Sequence, residues 1–207
     1  MFDESTMSTV RIAGCAGALL AGGRARRLGG VAKGLLRVGD EPVAARSARL
    51  LAALFDEVML STNDPTPYAS LGLPAVADRL RDKGAPGGLH AVLSAARSGW
   101  VFVAACDMPF LSEAGIRLLA SRREGADVVL VRWRGRREPL HAFWSKACLP
   151  LLEARLAAGD PSLQELSAAV RCTELSEQDW AAVDPEGHAF ANVNTPEDAA
   201  RLGAVLP

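Results

Sequence analysis

The residues best placed to do chemistry lie in one stretch, Leu20-Ala-Gly-Gly-Arg-Ala-Arg-Arg-Leu-Gly-Gly-Val-Ala-Lys33. Gly22 and Gly23 can adopt backbone angles closed to other residues, so the chain can approach a ligand closely there. Their amide N–H groups can face one way and form a nest for anions. Arg24, Arg26, Arg27 and Lys33 add positive charge within the same short stretch. A triphosphate matches so much positive charge, and a departing pyrophosphate gains charge as it leaves. Fixed cations at that point stabilise the transition state more than the ground state. The stretch is not the P-loop G-x-x-x-x-G-K-[ST], because Gly34 follows Lys33, and it is not G-x-G-x-x-G. Lack of the latter argues against a dinucleotide-dependent oxidoreductase. On glycine and charge alone, a solvated basic loop explains the segment at least as well.

The surrounding pattern supplies elements that would position these residues. Residues 16–20 are an apolar run that reads as a buried strand turning at Ala21 to Gly23, with residues 24–34 as a loop. Pro42 opens a helix whose apolar stripe is Val43, Ser47, Leu50, Leu51 and Leu54. Residues 58–60 form the next strand, ending in the turn cluster Ser61 to Pro65, and residues 74–77 a brief one ending at Asp78. Gly84 to Gly88 reads as a Gly/Pro loop before a helix over 89–97. Residues 100–105 are apolar without a break, as in a central parallel strand covered on both faces, and they end at Cys106-Asp107-Met108-Pro109. A helix capped by Ser112, a strand over 126–131, a basic turn over 132–137 and a return to the sheet at 138–142 follow. Helices near 145–157 and 162–168, a strand near 170–173, and a last helix with Thr195 as N-cap and Pro196 at its first position complete the chain.

Strands alternating with helices predict one α/β domain over 13–207, three-layered and Rossmann-like with a mostly parallel sheet, after a polar tail at 1–12. Ligand loops of such sheets gather at the carboxyl ends of the strands. The glycine/basic loop, Ser61 to Asn63, Asp78 and Asp107 all follow predicted strands and therefore converge on one edge.

Composition removes several classes. The 207 residues carry a formal net charge of −1, which gives no whole-chain field for nucleic acid or an anionic membrane. The polar start lacks the basic-then-apolar order of a signal peptide, and no apolar run reaches the ~20 residues of a bilayer span. A cytoplasmic location is the expectation. Cys15, Cys106, Cys148 and Cys172 lie far apart with no C-x-x-C pair, so a zinc ribbon, a thioredoxin-type site and disulfides are not expected. Three of the four cysteines sit in apolar stretches and read as buried thiols, Cys106 as packing. His90, His141 and His188 have no metal-ligand spacing and read as surface or loop residues. Neither a Ser-His-Asp nor a Cys-His arrangement is credible.

Read as a whole, the pattern resembles the molybdenum cofactor guanylyltransferases and their wider nucleotidyltransferase relatives. Leu20 to Gly23 with Lys33 resembles their phosphate-binding signature. Cys106-Asp-Met-Pro109 is similar to their strand end with a metal-binding Asp-x-Pro. Gly84 to His90, Glu138-Pro-Leu-His-Ala142 and Asn192-Val-Asn-Thr-Pro-Glu-Asp198 resemble further family segments, so the likeness runs over residues ~16–200. It implies transfer of GMP from Mg–GTP to the terminal phosphate of molybdopterin, with release of pyrophosphate. The cofactor phosphate attacks the α-phosphorus, so no protein nucleophile is required and catalysis is positioning plus charge stabilisation.

The resemblance assigns roles. Leu20, Ala21, Gly22 and Gly23 set main-chain atoms against base, ribose and phosphate. Lys33 bridges phosphate oxygens, and Arg27 holds the leaving phosphates. Asp107 binds Mg²⁺, a hard cation suited to one or two carboxylates plus phosphate and water. Asp78 accepts from guanine or ribose. Where the family commonly has Asn, this chain has Ser61, whose single hydroxyl is shorter; Asn63 compensates, or a water does. Asn192 and Asn194 lie on the acceptor side. Trp133 to Arg137 reads either as a stacking and anion-binding segment or as a solvated hairpin. Expected partners are GTP and molybdopterin, with molybdoenzymes or their chaperones downstream. The rival readings are a relative that uses CTP or a different phosphate acceptor, and a non-catalytic carrier of nucleotide or molybdopterin.

Overall fold

A computed structural model describes residues 10–21, 24–25, 31–80, 82–159 and 161–205. In chain order the first elements are β1 (Cys15–Leu20), β2 (Arg24–Ala25), β3 (Val31–Ala32), β4 (Arg37–Val38), β5 (Glu41–Pro42), α1 (Val43–Leu54), β6 (Glu57–Ser61) and β7 (Ala75–Val76). Next come α2 (Gly84–Ala95), β8 (Trp100–Ala105), α3 (Glu113–Ala120), β9 (Val128–Trp133), β10 (Arg136–Arg137) and β11 (His141–Ser145). The chain ends with α4 (Leu149–Ala158), α5 (Leu163–Ala168), β12 (Cys172–Leu175), α6 (Glu177–Trp180), α7 (Pro196–Leu202) and β13 (Ala204–Val205).

The main sheet has the order β10-β9-β11-β8-β1-β6-β7, with β12 also paired to β9. The pairs of β1 with β6 and β8, of β6 with β7 and of β9 with β12 are parallel. β11 runs against both β8 and β9, and β10 against β9. The sheet is thus mostly parallel, as the alternating pattern predicts. Its two faces follow from the period-2 geometry of strands. Cys15 and Leu19 of β1 join one core with Leu51 and Leu54 of α1, while Ala16, Ala18 and Leu20 join the other with Leu89, Val92 and Leu93 of α2. β8 splits likewise, with Phe102 and Ala104 on the first face and Val101 and Val103 on the second. Burial on both faces explains why β8 is apolar without a break.

The helical stripe of α1 buries Val43, Ser47, Leu51 and Leu54 as expected. Ser112 caps α3 by accepting from the Gly115 amide at 3.1 Å. Thr195 and Asp198 cap α7 reciprocally, with Pro196 in the first turn. A small second sheet, β13-β4-β5, carries the chain end back to the residues just after Lys33.

Two expectations are corrected. Gly84 to Gly88 is not a loop: α2 begins at Gly84 and contains the whole segment. Pro86 falls in the first turn, where its missing N–H costs nothing. Gly87 and Gly88 serve close packing instead: a Cβ on Gly88 would lie 3.0 Å from Ser61 Oγ and 3.3 Å from Leu20. His90 and His141 are not surface residues. His141 faces inward from β11 and is fully buried, and His90 is buried on α2 with Glu153 at 3.2 Å. Only His188 is exposed. The four cysteines are free, and Cys15, Cys106 and Cys148 are buried. Among the described residues no helix is long and apolar enough to cross a membrane.

Candidate functional site

Parallel strands end together, and the carboxyl ends of β1, β6, β7 and β8 open into a cavity of about 530 Å³. Leu20, Ser61, Asp78 and Asp107 line it from the ends of these strands, as the topology requires. Lys33 and Asn63 line it from the loops, and Asn192 and Asn194 close it from the C-terminal segment. Ala21 is buried behind the rim and gives its amide to the Ser61 carbonyl at 2.9 Å. Gly22, Gly23 and Arg27 lie outside the described residues. Thr62, from the turn cluster after β6, and Gly88 and Leu140, from two of the segments singled out in the sequence, also line the cavity, together with Asp82, which no sequence pattern marks.

Lys33 is the hub. Its Nζ donates to Asp107 Oδ2 at 3.1 Å and to Asn194 Oδ1. Its position is set by the residue behind it. A Cβ on Gly34 would lie 2.9 Å from Ala44 Cβ and 3.0 Å from the Tyr68 ring, so only glycine lets the chain sink between α1 and the end of β8. The Val193 amide donates to the Asp107 carbonyl at 3.1 Å, which fastens Asn192 and Asn194 to the same point. Cys106 contributes packing: burial pushes its thiol up to about 12, and Tyr68 covers it.

Asp107 is buried with its carboxylate at the cavity wall. Its Oδ1 takes no hydrogen bond from the described residues. No group of three His, Cys, Asp or Glu converges there among the described residues, so a closed protein cage for a metal is absent. One carboxylate with room for phosphate oxygens and water is instead the donor set that suits Mg²⁺. Asp107 therefore fits a divalent cation carried with a polyphosphate.

Asn63 and Asp78 form a reciprocal pair. Asn63 Nδ2 donates to Asp78 Oδ2 at 3.0 Å, and the Asp78 amide donates to Asn63 Oδ1 at 2.9 Å. Both ends of the Asn63 amide are thus occupied, and Asp78 Oδ1 faces no donor among the described residues. Asn63 holds Asp78 in place. Ser61 is buried beneath, where Gly88 leaves room for its hydroxyl.

A second cavity of about 850 Å³ adjoins the first and shares Asn192 and Asn194 with it. Trp133 and Phe190 form part of its wall. The turn after Trp133 has positive φ at Arg134 (48°) and Gly135 (76°), so the 132–137 segment is a tight hairpin of β9 and β10. Its Arg132 and Arg137 are tied to Glu174 at 2.6 Å each and are not available to an anion. The Trp133 ring lies flat on Gly187, where a Cβ would come within 2.1 Å of the indole.

Comparison with known proteins places this geometry. Residues 17–176 match the family described as the MobA-like NTP transferase domain. A probable molybdenum cofactor guanylyltransferase from Pelotomaculum thermopropionicum is 37% identical over 182 residues, 88% of each chain. The crystal structure of molybdopterin-guanine dinucleotide biosynthesis protein A from Archaeoglobus fulgidus shares the fold, with a TM-score of 0.78, 22% identity and coverage of 90% of this chain and 96% of that one. A Mycobacterium tuberculosis protein solved in complex with manganese shares it as well, with a TM-score of 0.68, 22% identity and coverage of 91% and 97%. The match spans the strand ends, Lys33 and Asp107 together, and this chain belongs to the MobA-like NTP transferases as a nucleotidyltransferase of the molybdenum cofactor guanylyltransferase family.

Proposed function

We propose that this chain moves GMP from GTP to the terminal phosphate of molybdopterin and releases pyrophosphate. The observation that carries this reading is Lys33, which lines the first cavity between Asp107 and Asn194, the latter shared with the second cavity. A cation so placed sits between a nucleotide in the first cavity and an acceptor in the second. An oxygen of the acceptor phosphate attacks the α-phosphorus, the bond to the β-phosphate oxygen breaks, and the electron pair leaves with pyrophosphate. Lys33 neutralises charge on the transferring phosphoryl group, and Arg27 holds the leaving phosphates. The main chain of Leu20, Ala21, Gly22 and Gly23 receives the nucleotide. Asp78, braced by Asn63, accepts from base or ribose above Ser61. Asn192 and Asn194 meet the acceptor.

Asp107 would hold Mg²⁺ together with the phosphates; the metal supplies charge neutralisation at the triphosphate. The manganese complex of the Mycobacterium tuberculosis relative supports a divalent ion in this fold. With the phosphates fixed and water displaced, positioning and charge account for the catalysis.

The test is turnover with each nucleotide. Protein, Mg²⁺ and molybdopterin are incubated with GTP, CTP, ATP or UTP, and pyrophosphate and the dinucleotide product are followed. Turnover with GTP alone is expected. Turnover with CTP would reassign the base pocket around Ser61, and nucleotide binding without pyrophosphate would make the chain a carrier.

A further inference from the structure

One carboxylate of the second cavity has no hydrogen-bond donor among the described residues. The cavity's acidic lining residues are otherwise satisfied. Glu177 accepts from the Arg134 amide at 2.7 Å, Glu186 pairs with His188 at 3.2 Å, and Asp198 accepts from the Asn194 and Thr195 amides and from Arg201. Glu138 has neither a hydrogen bond to its carboxylate nor an ion pair among the described residues. It is half-buried, and burial pushes its carboxyl up to about 7, with Arg136 only partly opposing the rise. A half-buried carboxylate that lacks protein donors gains when a ligand brings them.

The rest of the cavity says what kind of ligand. Trp133 and Phe190 give it an aromatic wall, rings 5.6 Å apart and tilted by 38°. Asn192 and Asn194 connect it to the nucleotide cavity, so one end of an occupant reaches Lys33. A flat heterocycle with two adjacent N–H donors on one edge, and a phosphate at its far end, satisfies these constraints.

We propose that Glu138 is the acceptor-specificity residue: its two carboxylate oxygens accept the 2-amino and N3–H donors of the pterin's aminopyrimidinone edge, beside the Trp133 and Phe190 wall. This rests on molybdopterin as acceptor. It adds the residue that would tell a pterin from other phosphorylated heterocycles. A carboxylate receiving two parallel N–H donors is a strong and directional pair.

The test needs no turnover. Binding of 6-carboxypterin is followed by its fluorescence and compared with 6-carboxylumazine, in which oxygen replaces the 2-amino group. Wild-type protein is expected to prefer the pterin by about 10-fold or more, the value of a hydrogen bond to a charged acceptor. In Glu138→Gln, whose amide NH₂ opposes one of the two donors, the preference is expected to collapse. Equal binding of the two probes by wild-type protein, no pterin binding at all, or an undiminished preference in Glu138→Gln would each overturn the proposal. The wild-type comparison stands even if the variant does not fold. GTP binding and pyrophosphate release, measured separately on wild-type protein, keep the outcomes apart: pterin preference without pyrophosphate release leaves Glu138 standing and removes the guanylyl-transfer reading.

Discussion

Replacing His141 with Phe is expected to stabilise the protein, and more so in acid. His141 lies edge-on to three aromatic rings, Phe102 and Phe190 at 5.3 Å and Trp180 at 5.4 Å, with interplanar angles of 84–88°. Both ring nitrogens are buried and find no hydrogen-bond partner among the described residues. Leaving polar groups so costs about 1–3 kcal/mol, and phenylalanine fills nearly the same space without them. The second contribution is protonic. Burial lowers the His141 ring from 6.5 to about 4, against weaker opposing pulls from its own backbone and from the Asp184 carboxylate. Between these values the unfolded chain binds a proton that the folded chain refuses, so stability is lost as pH falls through this window. From pH 8 to pH 5 the wild type loses roughly 2 kcal/mol by this route, and His141→Phe loses none of it. Glu138 titrates in the opposite sense, because burial raises its carboxyl from 4.5 to about 7, but it is common to both proteins and cancels in their difference. Urea unfolding followed by circular dichroism at pH 5, 6, 7 and 8 gives that difference directly. A variant no more stable than wild type at pH 7, with a difference that does not widen toward pH 5, would falsify the caged neutral histidine.

Lys33→Ala and Asp107→Ala are each expected to lower guanylyl transfer by ~10²-fold or more, as when one transition-state charge stabiliser is lost; near-wild-type rates in both would remove the site assignment. Asn63→Ala is expected to raise the KM for the nucleotide and to add little once Asp78 is already alanine, because its amide acts through Asp78. A double-mutant cycle that returned additive effects, with no coupling of at least about 0.5 kcal/mol, would show that Asn63 contacts the ligand itself. Gly34→Ala is expected to cost about 1–3 kcal/mol by overpacking against Ala44 and Tyr68, and to lower turnover by displacing Lys33. Unchanged thermal stability in that variant would contradict the close approach.

The legible features are those carried by local residue type. The unbroken apolar run of β8 declares a strand covered twice, and the polar residues that follow each strand declare the cavity rim. Asp78 and Asp107 are placed on the rim because each follows the end of a parallel strand by two residues, and Lys33 because it closes the glycine-rich basic stretch after β1. Pairing between distant loops was beyond such a reading. Asn63 stands 15 residues before Asp78 in sequence, and only the parallel addition of β7 beside β6 brings the two together. The glycines of α2 signal a loop by their low helix propensity, yet tertiary packing outweighs it where a helix must approach Leu20 and Ser61 closely. His141 misleads for the same reason: the aromatic rings that surround it come from β8, α6 and the 188–190 turn. Glu138 is an ordinary polar residue in sequence. Its isolation follows from the hairpin of β9 and β10 meeting the segment around Gly187, a contact no local window contains.

The long-range links in the fold bear on why the reaction needs little from any single side chain. Lys33 bonds to Asp107 and Asn194, 74 and 161 residues away. The Asp107 carbonyl receives the Val193 amide, and β13 returns to pair with β4 just beyond Lys33. The chain's late segment is therefore fastened both to the end of β8 and to the stretch just beyond Lys33. On the proposed reading, this brings the acceptor phosphate and the α-phosphorus into one frame before either ligand contributes binding energy. Effective concentration does the work that a nucleophile and a general base do elsewhere. It also predicts the residues least tolerant of change: Val193 and Gly34, which touch no ligand in this reading yet fix the distance between the two asparagines and the lysine.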